Sequence, residues 1–385
     1  MTSTQKIGRK RIAALTAVAV AVLAIVIYAI LRRPQPQPRT IAVAANLPLT
    51  GFLAEYGAAV KDGATMAADD LPTADPAGPQ FRFDWQDNAS DSKSAITVVQ
   101  KQMLQPPDVY ISGIGPSLVV PIMDKVAPGG TPHFVWTFDV VLRKDGKPNS
   151  FRTNVSYKIE PAMFIEYAKR RSAKRVAILY LLLPHAVEEF QTVVIPGLKK
   201  EGVTDVMAEQ YTVGKSDFGD LAVKIKEFKP DLLILNGFQM DLVNMVKAFR
   251  PQGLITDGNT IATYDMMDTT AILGAAELEG IRAVVPAYIV SPSKKAAAWT
   301  KRFVARYGRQ PIYTNAFGYD AITIIADAGR RLELPASPAD WQAAIAATNI
   351  EGITGPLRFD DGGDLRVPLA VAVLRNGKFV PDIAP

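Results

Sequence analysis

The chain has 385 residues, a formal charge of +5, no cysteine and two histidines, His133 and His185. Without cysteine there is no disulfide, no thiolate nucleophile, no cysteine-based metal site and no cysteine-borne lipid, and two distant histidines offer no metal-ligand spacing. Seven of the 43 basic residues fall in the first 40 positions, which carry no acid; the remaining 36 face 38 acidic side chains, so nothing points to nucleic acid.

The first predicted element decides where the rest works. Ile12–Leu31 is a run of uncharged apolar or small residues, with Lys6, Arg9, Lys10 and Arg11 before it and Arg32 and Arg33 after it. At about 1.5 Å of rise per residue such a helix matches a hydrocarbon core of about 30 Å. Basic residues on the short leading side favour keeping that end in the cytoplasm. The expectation is one transmembrane helix in the cell inner membrane, with the N-terminus cytoplasmic and the remaining chain periplasmic or extracellular. A long cleaved signal peptide is the alternative. The run exceeds the roughly 7–15 residues of a signal core and lacks a small-residue cleavage site, which favours a retained anchor. The stretch RRPQPQPRT (32–40) reads as an extended polyproline spacer. Residues 1–40 are therefore tail, anchor and spacer.

From Thr40 onward, short apolar or β-branched runs alternate with longer amphipathic ones, the pattern of βαβ units and a largely parallel sheet. Strands are predicted at Ile41–Ala45, Phe81–Trp85, Val109–Gly113 and His133–Trp136, with helices at Leu53–Leu71, Ser92–Gln105 and Leu118–Ala127 between them. A second series has strands at Val176–Leu181, Val206–Tyr211, Leu232–Leu235, Thr260–Ala262 and Ala283–Val285, and helices at Glu188–Glu201, Phe218–Phe228 and Asp241–Arg250. Helices at Ser293–Tyr307, Thr314–Leu332 and Pro338–Ala347 follow, then strand-like Leu357–Phe359 and Ala370–Leu374. The fold class is α/β, with two doubly wound parallel-sheet lobes. In such sheets ligands bind beyond the carboxyl ends of the strands.

The loops at those strand ends carry a resemblance. IAVAANLPLTGFLAEYG (41–57), DWQDNASDSKSAITVVQ (84–100), SGIGPSLVVPI (112–122), SFRTNVS (150–156), KSDFGDLAVKIKEFKPDLLIL (215–235) and GITGPLRFDDGGDLR (352–366) resemble, in order and spacing, landmarks of the type I periplasmic binding proteins, the group of leucine/isoleucine/valine-binding proteins. The resemblance covers nearly all of residues 41–380. It implies two lobes joined by three strand crossings that close around a small ligand, residues 41–155 plus 287–355 forming lobe 1 and 156–286 plus 356–385 forming lobe 2. Relatives deliver amino acids, amides or small organic acids to an ABC importer, and some serve as sensor domains.

The resemblance also marks residues. The serine matching Ser117 holds a ligand carboxylate; here it follows Gly113, Gly115 and Pro116 and opens a helical run, where it reads equally as an N-cap. Trp136–Thr137–Phe138–Asp139 matches a loop that supplies a hydroxyl and backbone N–H groups to the same carboxylate, making Thr137 a candidate donor. Asp139 would repel an anion there by several kcal/mol at low effective dielectric. Either it points away, or the ligand is not an ordinary α-amino acid and is cationic or polyhydroxylated. Tyr56 falls where relatives place an aromatic at the cleft mouth. His185 falls near the ligand-covering tyrosine of lobe 2, in a stretch (Leu181–His185) without the aspartate and glycine usual there. Phe238 matches a stacking aromatic, and Asp265 matches the carboxylate that pairs a ligand ammonium, a strong charge-assisted bond.

These residues predict an extracytoplasmic solute-binding protein that captures a small polar or amino-acid-like ligand for an ABC-type importer. Its partners are that ligand, the importer's membrane subunits and the membrane itself; the reading calls for no cofactor and no metal. The alternative is a ligand-free interaction module or sensor domain contacting other envelope proteins. An enzyme needs a nucleophile–base pair or a metal, which this composition does not supply.

Overall fold

The computed structural model describes residues 40–74, 78–137, 149–154 and 159–382. The expected membrane helix Ile12–Leu31, the proline spacer and Asp139 lie outside the described residues. Among those described, no helix is long and apolar enough to cross a membrane.

The first series runs β1 (Thr40–Leu47), α1 (Ala54–Ala74), β2 (Gln80–Asp87), α2 (Ser92–Gln102), β3 (Val109–Gly113), α3 (Pro116–Val126), β4 (His133–Trp136) and β5 (Ser150–Arg152). Its strands pair in parallel in the order β2-β1-β3-β4-β5. Strand β3 (VYISG) is buried along its whole length, as a strand covered on both faces by crossover helices must be. Edge strand β2 alternates instead, and its period of two stacks Phe81, Phe83 and Trp85 with ring centroids 5.7 and 4.7 Å apart. Helix α2 starts where the Asp91 carboxylate accepts a hydrogen bond from the Ser94 N–H at 2.7 Å. His133 is buried in β4 with Nε2 2.6 Å from the Ser112 hydroxyl, and burial pushes its pKa down to about 3, so the ring is neutral.

The second series runs α4 (Glu160–Arg170), β6 (Arg175–Leu181), α5 (Pro184–Glu188), α6 (Ile195–Lys200), β7 (Asp205–Tyr211), α7 (Gly219–Phe228), β8 (Leu232–Leu235), α8 (Gln239–Phe249), β9 (Thr260–Ala262) and β10 (Arg282–Pro286). Its parallel order β7-β6-β8-β9-β10 repeats that of the first sheet. The chain continues through α9 (Lys294–Tyr307), α10 (Tyr313–Arg330) and α11 (Pro338–Ala346), then β11 (Ile350–Glu351), β12 (Pro356–Leu357), β13 (Leu369–Arg375) and β14 (Lys378–Pro381). Strands β13 and β14 add to β10 antiparallel, extending the second sheet to seven strands.

Helix α10 comes after both parallel series, yet it packs on α1 of the first. Two glycines permit the approach: a Cβ on Gly63 would lie 1.9 Å from the Asn315 carbonyl oxygen, and one on Gly318 2.4 Å from that of Val60. The Asn315 side chain completes the contact, donating to the Ala59 carbonyl at 2.8 Å. Where the chain leaves the first sheet, fully buried Arg152 donates Nε–H to Asp364 at 2.7 Å and Nη1–H to the Thr137 carbonyl at 2.9 Å. Arg152 also exchanges backbone hydrogen bonds with Gly363 and Leu365, which lead to β13.

The predicted strands of both series are present, four of them (β3, β4, β8 and β9) with the expected ends. Strands β5, β11 and β14 and helix α4 were not expected. The predicted helix at Glu188–Glu201 begins earlier, at Pro184, and contains a π-helical stretch, Glu189–Val194. The apolar pattern shifts phase through that stretch, which hid the first turn.

Candidate ligand site

Strands β6, β8 and β9 end side by side, and the residues just past their carboxyl ends converge on one cavity. Strand β6 delivers Leu181 and then His185 in the first turn of α5; β8 delivers Asn236, Gly237 and Phe238; β9 delivers Thr263, Tyr264 and Asp265. Glu160 at the start of α4 and Glu189 in the π-helical stretch close the remaining sides. The volume is about 20 Å³, room for about one water.

Hydrogen bonds fix the loops. The Asn236 side-chain oxygen accepts from Leu181 N–H at 3.1 Å, and its carbonyl accepts from the Tyr211 hydroxyl at 2.6 Å. Phe238 is the N-cap residue of α8, its N–H donating to Asp241 at 3.2 Å. A glycine precedes it because a Cβ on Gly237 would meet the Tyr211 hydroxyl at 2.4 Å. Glu160 accepts from Tyr264 N–H at 3.3 Å.

Asp265 lies at the centre. Its Oδ1 faces the hydroxyls of Tyr56 on α1 and Tyr313 on α10, both at 3.4 Å. The Tyr313 ring packs edge-on against Tyr264 and tilted against Tyr56. Burial raises the Asp265 pKa to about 7 against the pull of the Tyr313 and Tyr56 hydroxyls. Burial also pushes Glu189 up to about 8. Glu160 is raised by burial, then by the charges of Glu189 and Asp265. Neighbouring Asp268 is raised by burial, then by Asp265 and Glu55. The hydroxyls of Tyr56, Tyr264 and Tyr313 are raised by burial and by Asp265, so they stay protonated and can only donate to an anion.

Of the candidates read from sequence, His185, Phe238 and Asp265 share this cavity, and Tyr56 reaches it through its hydroxyl. Ser117 and Thr137 do not line it. Ser117 is exposed and is not a helix cap; Gly115, at φ 87°, caps α3, with Pro116 next. The Ser117 carbonyl accepts from the Ser92 hydroxyl at 2.9 Å. Thr137 is buried, and its carbonyl holds Arg152. Sequence reasoning missed Glu160, Glu189 and Tyr313. Glu189 follows His185 by four residues, a same-face helical spacing that was available as a signal. Glu160 was missed with its helix, whose Phe164, Tyr167 and Ala168 mark the buried face.

A sheet of order 2-1-3-4-5 repeated twice, with an acid-lined cavity at strand ends whose Asp265 meets hydroxyls from α1 and α10, is the architecture of a solute-binding protein. The chain belongs to the periplasmic binding protein family, whose model matches residues 40–378. Proteins of this family bind solutes and are not enzymes. The chain is 26% identical over 339 residues to the leucine-, isoleucine-, valine-, threonine- and alanine-binding protein of Pseudomonas aeruginosa, covering 85% of this chain and 87% of that one. Its fold is similar to that of the branched-chain amino acid transporter substrate binding protein LivJ of Streptococcus pneumoniae, solved with isoleucine, at a TM-score of 0.77 and 20% identity over 89% of this chain and 98% of that one. It is also similar to an ABC transporter solute binding protein of R. palustris, solved with benzoate, at a TM-score of 0.77 and 18% identity over 89% and 95%.

Proposed function

We propose that this protein captures an amino-acid-like solute bearing an ammonium group, on the outer side of a membrane, for an ABC-type importer. One observation carries the reading: Asp265, on the second sheet's side, is a buried carboxyl facing hydroxyls from Tyr56 and Tyr313, which belong to helices packed with the first. A carboxyl whose ionisation burial holds back gains most from a cation brought to it, because the ligand supplies the charge the protein withholds. Phe238 and His185 cover the solute from the second sheet's side. Thr137 and Ser117 belong to the first side and come into play when the halves separate.

The cavity of about 20 Å³ is smaller than any amino acid, so entry requires opening. In this reading 41–155 plus 287–355 move as one lobe and 156–286 plus 356–385 as the other, bending where Arg152 meets Asp364. The run Ile12–Leu31 tethers the pair to the inner membrane. The P. aeruginosa relative's amino-acid specificity supports the ligand class.

Thermal-shift screening against amino acids, amides, polyamines and organic acids tests this. A ligand at 100 times its dissociation constant should stabilise the fold by about 2.7 kcal/mol. Solution scattering should show compaction with that ligand. Stabilisation by no compound of the panel would refute the capture role.

A further inference from the structure

We propose that the solute carries two cationic centres, one facing Asp265 and the other seated between Glu160 and Glu189; this deepens the reading above and rests on it. Three carboxyl groups line one cavity, and Glu160, Glu189 and Asp265 are only 4%, 2% and 6% exposed. No lysine or arginine stands among the described residues that line it, and His185, even protonated, supplies one positive charge against three carboxyls. Elsewhere several buried acids are met within the protein, although Asp268, next to this cluster, has no hydrogen-bond partner for either oxygen among the described residues. Asp364 receives Arg152, Asp382 receives Arg282, and Asp320 accepts the N–H groups of Ile353 and Thr354 and the Thr354 hydroxyl. The cavity acids are treated differently.

Two further atoms point to a guest. Glu189 Oε1 and Thr263 Oγ1 are buried in residues that line the cavity, and neither has a hydrogen-bond partner among the described residues. Such groups are costly to bury unmatched, and a donor-rich cation between them would satisfy both. Glu189 opens the π-helical stretch, and such stretches cluster at functional sites. A zwitterion with an apolar side chain would meet Asp265 and leave Glu160 and Glu189 facing each other. A basic amino acid or a short diamine would meet all three.

Calorimetric titration of the full chain in detergent tests this, with L-arginine, L-lysine and putrescine as dibasic probes and L-leucine and benzoate as the others. Arginine and lysine against putrescine distinguish the two sources of a paired cation. At least one dibasic probe should bind tenfold or more tighter than leucine. Glu189→Gln and Glu160→Gln should each weaken that probe tenfold or more and shift leucine binding less than threefold. Thermal melting confirms that each variant folds, and two variants guard against the loss of one. Leucine or benzoate binding tighter than every dibasic probe overturns the inference, as does a dibasic probe indifferent to both variants, or no dibasic binding at all. Where the dibasic expectation fails, leucine binding that depends on Asp265 leaves the proposed function standing, and leucine binding that ignores Asp265 shows the site itself to be wrong.

Discussion

The two parallel sheets share a strand order but handle charge in opposite ways. Around the first, buried charge is paired or absent: His133 is neutral beside Ser112, and Arg152 is matched by Asp364 and the Thr137 carbonyl. Around the second, carboxyls gather at the strand ends with no lysine or arginine among the described residues that line the cavity. The same architecture therefore yields a half whose buried charge is paired within the protein and a half whose strand-end carboxyls would accept a cation. What differs is what the loops carry, since topology places both sets of loops alike.

That contrast can be broken most severely where the halves meet. Arg152→Ala leaves the buried Asp364 carboxylate uncompensated and should cost about 3–5 kcal/mol, read by urea unfolding; a loss under 1 kcal/mol would show the pair to be dispensable. Next comes the packing of α10 on α1. Gly318→Ala drives a methyl into the Val60 carbonyl and should cost about 2–3 kcal/mol. A well-folded variant with unchanged melting would mean that the helices slide apart freely.

Smaller effects sharpen the picture at the acidic side. Asp265→Ala should weaken an ammonium-bearing ligand by about 1.5–3 kcal/mol in calorimetry. The pH dependence has a definite sign. A carboxyl raised to about 7 in the folded state holds its proton there more tightly than in the unfolded chain. The unliganded protein should therefore lose stability as pH rises from about 4 to about 7, by at most about 4 kcal/mol from this group, and Asp265→Asn should flatten the slope. Ammonium-ligand affinity should run the other way, rising with pH up to about 7, because the carboxyl must ionise to pair. Affinity independent of pH between 5 and 8 would remove Asp265 from the contact. Smallest of all, Ser117→Ala should cost at most about 1 kcal/mol of affinity, since the side chain lies outside the cavity.

Much of the fold was legible in the chain. Buried parallel strands announce themselves as short apolar runs, so β3, β4, β8 and β9 were found with their ends. Strand β5, three residues long, falls below what periodicity resolves, whereas α4 carries its apolar spacing at Phe164, Tyr167 and Ala168 and was overlooked. At the site, Asp265, Phe238 and His185 were reachable because a resemblance in loop order marked them. Glu160 and Tyr313 were not, because they come from a helix start and a helix far along the chain; Glu189 had a signal in its four-residue spacing from His185.

Apolar periodicity and composition alone determined that this is an α/β protein of two parallel series, without thiol chemistry or an electrostatic case for nucleic acid. Those properties follow from residue type and spacing, which act locally. Only the tertiary structure decided that Tyr56, Asp265 and Tyr313 meet, and that three acids share one buried cavity. Such encounters depend on how α1 and α10 pack through Gly63 and Gly318 and on which strand ends lie side by side. Burial, which sets the protonation of those acids, is a property of the assembled fold and of no single segment.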